Sequence, residues 1–378
     1  MPPSISLPAK PRPNDGPANQ RHGLIYFVCG NPGLVHYYTV FLECLRGMLD
    51  ELQDEETGGR RSRTAYDIYG RDLLGFSDDD HEPFVRGSNE PWDLDGQIEG
   101  IYKDVAAQRI PSAQTQDQGT GQNGLQDREG TRPYDFVILM GHSVGAYISL
   151  EIFHRHAKDS SRAPHLHLRH GFLLFPTLTH IAASPSGRQA SLLLSIPRLE
   201  GNAHLLAKFA LRCLPHGVVL WIVKNVMGFT DQTARVTADW LKSRDGVWQA
   251  IHLGLSELRT ICEEKWEEEL WRATAEDEDD ADGYEYCHID NNDTGDGEGR
   301  ERGRQIPKFF IFYGKHDHWV ANHLRDAFIE RRREHVEEGH TRILVDEGDL
   351  PHAFCVKEHT SFVVAKKVFE WVREIEGL

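Results

Sequence analysis

A hydroxyl becomes a nucleophile only when a neighbouring base takes its proton, so a serine in a special setting is the place to look first. Residues 141–145 read Gly-His-Ser-Val-Gly. They follow the apolar run 136–140 (FVILM) and lead into residues 144–157, whose apolar positions fall at helical spacing. A serine at a tight strand-to-helix turn, with glycines two residues to either side, has the pattern of a nucleophile elbow. The glycines remove side chains that would collide with the adjoining strand and helix. The helix that begins at Ser143 points its positive end at any negative charge developing there. The five-residue pattern alone is weak, and a strand-to-helix turn without chemistry is the alternative. The buried strand before it and the amphipathic helix after it favour a nucleophile.

Where a serine sits on such an elbow, its partners follow in the order acid, then histidine. Asp317 lies in Tyr313-Gly-Lys-His-Asp-His-Trp319, just past the apolar run 308–313 (KFFIFY). The other customary place for the acid, after the preceding strand, holds Phe175-Pro-Thr177 and offers no carboxylate. His352 lies in Leu350-Pro-His-Ala-Phe354, between the last strand and the last helix. With 21 histidines in the chain, position is what selects it. His142, at the variable elbow position, is expected to shape the site. His316 and His318 flank the acid without a further ligand set at zinc spacing, so no metal or cofactor is expected. A tetrahedral oxyanion needs two fixed N–H donors. The Val144 amide is one. The other is expected in the turn Gly30-Asn-Pro-Gly33, where Pro32 cannot donate and Asn31 can.

The elements that must hold these residues alternate between strands and helices. Residues 24–29 (LIYFVC) form a continuous apolar run, the mark of a strand buried on both faces. A helix is expected over 37–52, a strand over 65–69, a helix over 95–107 and a solvated loop over 108–131. The strand 136–140 follows, then the helix 144–157 and a strand over 171–175. After an interruption the rhythm resumes with a strand at 308–313, a helix over 322–337, a strand over 341–346 and a closing helix over 360–375. This alternation predicts the α/β-hydrolase fold, a mainly parallel sheet covered by helices on both faces. The expected organisation is a disordered tail over 1–22, a first core part over 23–176, a lid inserted over 177–305 and a second core part over 306–378. Within the insertion, 273–305 is expected to be a disordered acidic loop.

The formal net charge is −17, and residues 263–301 alone carry 17 acidic and 3 basic side chains. The remainder is nearly neutral, with no clustered cations for a nucleic-acid partner. The six cysteines are scattered with no CxxC pair, which favours free thiols over a disulfide framework. The start of the chain has no apolar core of a signal peptide. No run reaches the ~20 apolar residues of a membrane-crossing helix. A cytosolic protein, or one peripheral to a membrane, is expected. Residues 203–229 hold two apolar arms around Pro215 and Gly217, with Lys208, Arg212 and Lys224 interspersed. They read equally as a lid lying on a lipid surface, with Leu220 and Trp221 as anchors, or as lid helices buried over the site.

Four blocks together resemble the lipid droplet-associated hydrolases. They are Gly30-Asn-Pro-Gly-Leu-Val35 with Tyr37, Tyr38, Phe41 and Leu42; Gly141-His-Ser-Val-Gly-Ala-Tyr147; Tyr313-Gly314 with Asp317 and Trp319; and Pro351-His-Ala-Phe354. Cys29 departs from the proline that the family commonly has before the first block. The resemblance implies a triad of Ser143, Asp317 and His352, with association with lipid droplets or endoplasmic reticulum. It also implies turnover of neutral lipid or sterol ester. The expected function is therefore a serine esterase acting on an apolar acyl ester. A thioesterase or transacylase with the same triad, or a lipid-surface binding protein with little turnover, are the alternatives.

Overall fold

The structure, a computed structural model, describes residues 2–10, 21–54, 64–111, 131–194, 196, 199–266, 268–271 and 308–378. Its first parallel strand is β2 (Arg21–Val28), the strand expected from LIYFVC, with Leu24 to Val28 inaccessible to solvent. β3 (Thr64–Arg71) and β6 (Phe136–His142) pair with it in parallel, one on each side. β7 (Leu168–Leu174), β8 (Phe309–Tyr313) and β9 (Thr341–Val345) extend the sheet in parallel beyond β6. With β1 (Ser4–Leu7), antiparallel to β3, the seven strands stand in the order β1-β3-β2-β6-β7-β8-β9.

Parallel strands put their C-terminal ends on one edge, and ligands bind outside that edge in open α/β sheets. Here the turns after β2, β6, β8 and β9 all open there. The sheet is dry because helices cover it. α1 (Thr39–Asp54) packs along the C-terminal helix Glu358–Ile375, and α2 (Leu94–Ala107) along α3 (Val144–Lys158). Trp371 of the C-terminal helix meets Phe172 and Phe310 with ring centroids 5.3 and 5.4 Å away.

Several expectations need correction. Residues 4–7 are not a disordered tail. Ile5 and Leu7 pack on the core, and the Asp72 N–H donates to Pro3 O at 2.7 Å, so four residues between prolines suffice to pair an edge. Residues 11–20 lie outside the described residues. The expected loop over 108–131 is pinned at its ends, where β4 (Ile110–Pro111) pairs with β5 (Thr131–Arg132); 112–130 lie outside the description. The helix expected over 322–337 breaks at Arg332 into Asn322–Arg331 and Arg333–Glu337. The Arg332 guanidinium turns inward there, over Trp271 and Phe328 at 4.0 and 3.7 Å from the ring centroids. The acidic stretch 272–307 is outside the described residues.

Between β7 and β8 the chain forms α4 (Pro185–Leu194), α5 (Leu199–Arg212), α6 (His216–Asn225), α7 (Asp231–Lys242), α8 (Gly246–Thr260) and the short α9 (Glu268–Trp271). The segments Asn202–Arg212 and His216–Asn225 are bent against each other by 99° at Pro215. Among the described residues, no single helix is long and apolar enough to cross a membrane.

Candidate active site

Ser143 stands between β6 and α3 with φ 56° and ψ −123°. That conformation is rare for a side chain with a Cβ and has to be imposed by its surroundings. Two close approaches impose it. A Cβ on Gly145 would lie 2.2 Å from Val28 O, and one on Gly141 would lie 2.3 Å from Gly145 O. No other residue fits either place, so α3 is seated directly on β2 and the turn is forced to be sharp. The Ser143 N–H donates to Leu174 O at 3.0 Å, which ties the turn to β7. The side chain is left half-buried at the C-terminal edge of the sheet.

The structure brings Ser143, His352 and Asp317 together. His352 Nδ1 is 2.6 Å from Asp317 Oδ2, and His352 Nε2 is 2.9 Å from Ser143 Oγ. An ionised carboxylate only accepts, so Nδ1 carries the proton, Nε2 is the free base and the serine hydroxyl donates to it. Asp317 is buried. Burial alone would raise its carboxyl. The hydrogen bond from His352, with the Trp319 N–H donating to Oδ1 at 2.8 Å, outweighs this and holds it below the usual range. The carboxylate therefore stays ionised and fixes the ring. The position after β7, which lacks a carboxylate, holds Phe175 with φ 45°.

His142 makes a different set of contacts. Its Nε2 faces the His352 carbonyl at 2.9 Å and must donate, so its Nδ1 accepts from the Tyr38 hydroxyl at 2.8 Å. Tyr38 Oη in turn accepts from the Gly30 N–H at 3.1 Å. Burial, with the neighbouring His352, pushes His142 down to about 3, so it stays neutral and serves as a rigid strut. One buried chain thus joins the turn after β2, the elbow and the backbone of His352. The sequence reading gave His142 a shaping role but named Tyr38 only within the family block, with no task for its hydroxyl, since its ring reads as ordinary core.

The turn after β2 passes close to the serine: a Cβ on Gly30 would lie 3.1 Å from Ser143 Cβ. The next peptide, Asn31–Pro32, is cis. Val144 is the first residue of α3, where a helix leaves its N–H without an intrahelical acceptor. Among the described residues, no backbone carbonyl accepts from the Asn31 N–H. The Asn31 side chain is occupied elsewhere. Its Nδ2 donates to Ala250 O and to Glu257 Oε1 on α8, both at 3.0 Å. The sequence reading missed Glu257. Among the described residues, Asp78, His81 and Asp245 have metal-ligand atoms close together. The Asp245 carboxylate already accepts from Arg244 Nε at 2.8 Å and pairs with Lys208, and Asp78 Oδ1 accepts from the Asp245 N–H, so cations and amides of the chain fill the role of an ion.

A mainly parallel seven-stranded sheet with its serine elbow after the central β6 is the α/β-hydrolase fold. The chain belongs to the lipid-droplet associated hydrolase family, whose profile matches residues 21–355. It is 24% identical over 358 residues to the lipid droplet-associated hydrolase of Rattus norvegicus, which covers 94% of this chain and 86% of the rat protein. The Mus musculus protein of that name is 23% identical over 351 residues, with 92% and 84% covered. Among solved structures the chain is similar to a peroxisomal α/β-hydrolase of Saccharomyces cerevisiae, with a TM-score of 0.48, 11% identity and coverage of 99% of this chain and 88% of that one. It is also similar to the juvenile hormone epoxide hydrolase of Bombyx mori, with a TM-score of 0.45, 14% identity and coverage of 99% and 73%. These two similarities are too distant to bear on chemistry. Family membership makes the chain a hydrolase.

The strut carries a stability prediction. Tyr38→Phe leaves the Gly30 N–H and His142 Nδ1 buried without their partner, at about 1–3 kcal/mol for an unsatisfied buried group. Urea denaturation should show that loss with an unchanged dependence on denaturant. A midpoint equal to wild type would mean that water replaces the hydroxyl.

Proposed function

We propose that the chain is a serine esterase or lipase that hydrolyses an apolar acyl ester, a sterol ester or an acylglycerol, at the surface of lipid droplets. The carrying observation is the line of hydrogen bonds from Ser143 through His352 to Asp317 at the elbow. In this reading His352 Nε2 takes the hydroxyl proton as Ser143 Oγ attacks the ester carbonyl. The oxyanion of the tetrahedral intermediate accepts from the N–H groups of Val144 and Asn31. His352 then gives its proton to the departing alcohol, leaving an acyl-enzyme, and activates the water that releases the acid. Asp317 stabilises the imidazolium in both steps.

Lipid association in this reading rests on α5 and α6, part of a lid inserted over residues 177–305. Leu205, Leu206 and Phe209 of α5 and Val218 and Trp221 of α6 are exposed, Phe209 by 72% and Trp221 by 60%, as are Val226 and Met227 just after α6. Exposed large apolar side chains gathered on one bent pair of helices are the kind that meet a membrane or a droplet. This favours the surface-lying lid over the buried one. Leu220 is not part of it: it packs with Val219 and Val223 against Ala234 and Ala238 of α7. The protein is accordingly peripheral to droplets, with endoplasmic reticulum as the second membrane and cytoplasm otherwise.

A fluorophosphonate probe tests the nucleophile. Wild type should be labelled and Ser143→Ala should not; labelling that persists in Ser143→Ala would remove Ser143 from its role. On a short soluble ester, Asp317→Asn should fold normally and lose roughly 10⁴-fold in kcat, as the histidine loses the partner that sets its tautomer. Near wild-type turnover would point to another carboxylate. A screen of lipid extract separates substrates, and acyl release from thioesters alone would sink the ester assignment.

Docking has its own test. Burying a large apolar side chain contributes about 1.5–3 kcal/mol, so Phe209→Asp with Trp221→Asp should weaken droplet partitioning roughly a hundredfold or more. Turnover of the short soluble ester should be retained. Unchanged droplet partitioning by a folded double variant would exclude this patch as the anchor.

A further inference from the structure

Glu257 is a buried carboxyl that the proposed chemistry leaves without a role. It lies on one face of α8 with Ala250 and Gly254, at helical spacing. A Cβ on Gly254 would be 3.5 Å from Asn31 Nδ2, so this face of the helix rests against the Asn31 amide. The amide has two N–H groups, and α8 accepts both, one at the Ala250 carbonyl and one at Glu257 Oε1. The turn after β2 is therefore not held only by its own strand. Its second residue is gripped by a helix more than 200 positions away, in the segment between β7 and β8.

The grip matters because Asn31 is the residue whose backbone N–H is given to the oxyanion. Its side chain and N–H share one Cα, and the cis Asn31–Pro32 peptide follows directly. Fixing the side chain fixes the rotation of the residue and so the direction of its N–H. We propose that Glu257 is a positioning residue of the oxyanion turn: from α8 it holds the Asn31 side chain so that the Asn31 N–H stays aimed at the oxygen of the tetrahedral intermediate. This rests on the serine-esterase reading above.

The carboxyl leaves the oxyanion turn free of a fixed charge only while it is neutral. Burial raises it to about 7, and the Asn31 hydrogen bond, which lowers it, is the one opposing influence. The elements packed on α8 are α2, α5, α7 and the short turn Ile181–Ala183, and among the described residues no charged side chain of theirs shifts it. Below about 7 the protonated group accepts from Asn31 Nδ2 through its carbonyl oxygen and places no charge near the oxyanion. Above that it ionises, and a fixed negative charge beside the turn opposes the negative charge of the intermediate. The sign is thus a loss of turnover as pH rises through Glu257.

The test is steady-state hydrolysis of p-nitrophenyl butyrate by the full chain between pH 6 and 9, with fluorophosphonate labelling run beside it. Glu257→Ala should lower kcat about 10- to 100-fold, the scale of a misplaced reacting group, with KM changed far less. Glu257→Gln, which keeps the acceptor and the shape, should restore most of that loss. It should also hold its kcat above pH 7, where wild type declines. Wild-type kcat in Glu257→Ala, or a glutamine variant as impaired as the alanine one, would overturn the proposal. If Glu257→Ala does not fold, the profile of Glu257→Gln decides, and one that coincides with wild type across the range overturns it. Absent labelling of wild type would overturn the serine reading and this proposal together. Labelling lost only in Ser143→Ala, with flat Glu257 results, would overturn this proposal alone.

Discussion

The backbone of Ser143 occupies a region that costs an L-residue roughly 1–3 kcal/mol, and much of the molecule is arranged so that it has no alternative. Relaxing φ from 56° would swing α3 away from β2, where Gly145 already rests on Val28 O. It would also break the bond from the Ser143 N–H to Leu174 O. The strain is therefore balanced by packing of three adjacent strands, β2, β6 and β7, and of the helix that follows. The same constraint leaves the hydroxyl at the strand edge and the first amides of α3 facing it.

Around that serine the charges are distributed unevenly. Asp317 is kept ionised by His352 and the Trp319 amide, while His142, only one residue before the serine, is kept neutral by burial. Two imidazoles with ring centroids 5.1 Å apart are thereby given opposite tasks. In the proposed mechanism the one beside the carboxylate takes the proton of Ser143. The other, wedged between a hydroxyl and a carbonyl, can only hold its neighbours in place. Environment, not residue type, makes the difference.

How much of this was legible in the sequence depended on how local the determinants were. The strand FVILM, the glycine-flanked Ser143 and the placing of Asp317 and His352 each follow from a strand end and a short loop, and the structure brings the three side chains together. Asn31 was picked out in the sequence as the turn residue able to donate where Pro32 cannot, but its anchoring was not legible. That depends on Ala250 and Glu257, and no spacing rule connects residues 226 positions apart. Tyr38 was hidden because a buried aromatic in a helical segment looks like core whether or not its hydroxyl is used. Leu220 was misread because α6 is apolar around most of its circumference, so periodicity cannot say which side meets α7. Residues 4–7 were misread because proline-rich composition describes the flanks and not the four residues between them.

The pairing of β1 with Ile68–Arg71 of β3 has a further consequence. Without it, β3 would be the rim of the sheet, with a row of unsatisfied N–H and C=O groups beside Tyr69. Such a rim recruits strands from other molecules. The short first strand thus acts as a selvedge, finishing one border of the sheet. A shortened chain starting at Arg21 keeps every residue of the serine site, yet gives up this finish and with it resistance to edge-to-edge aggregation.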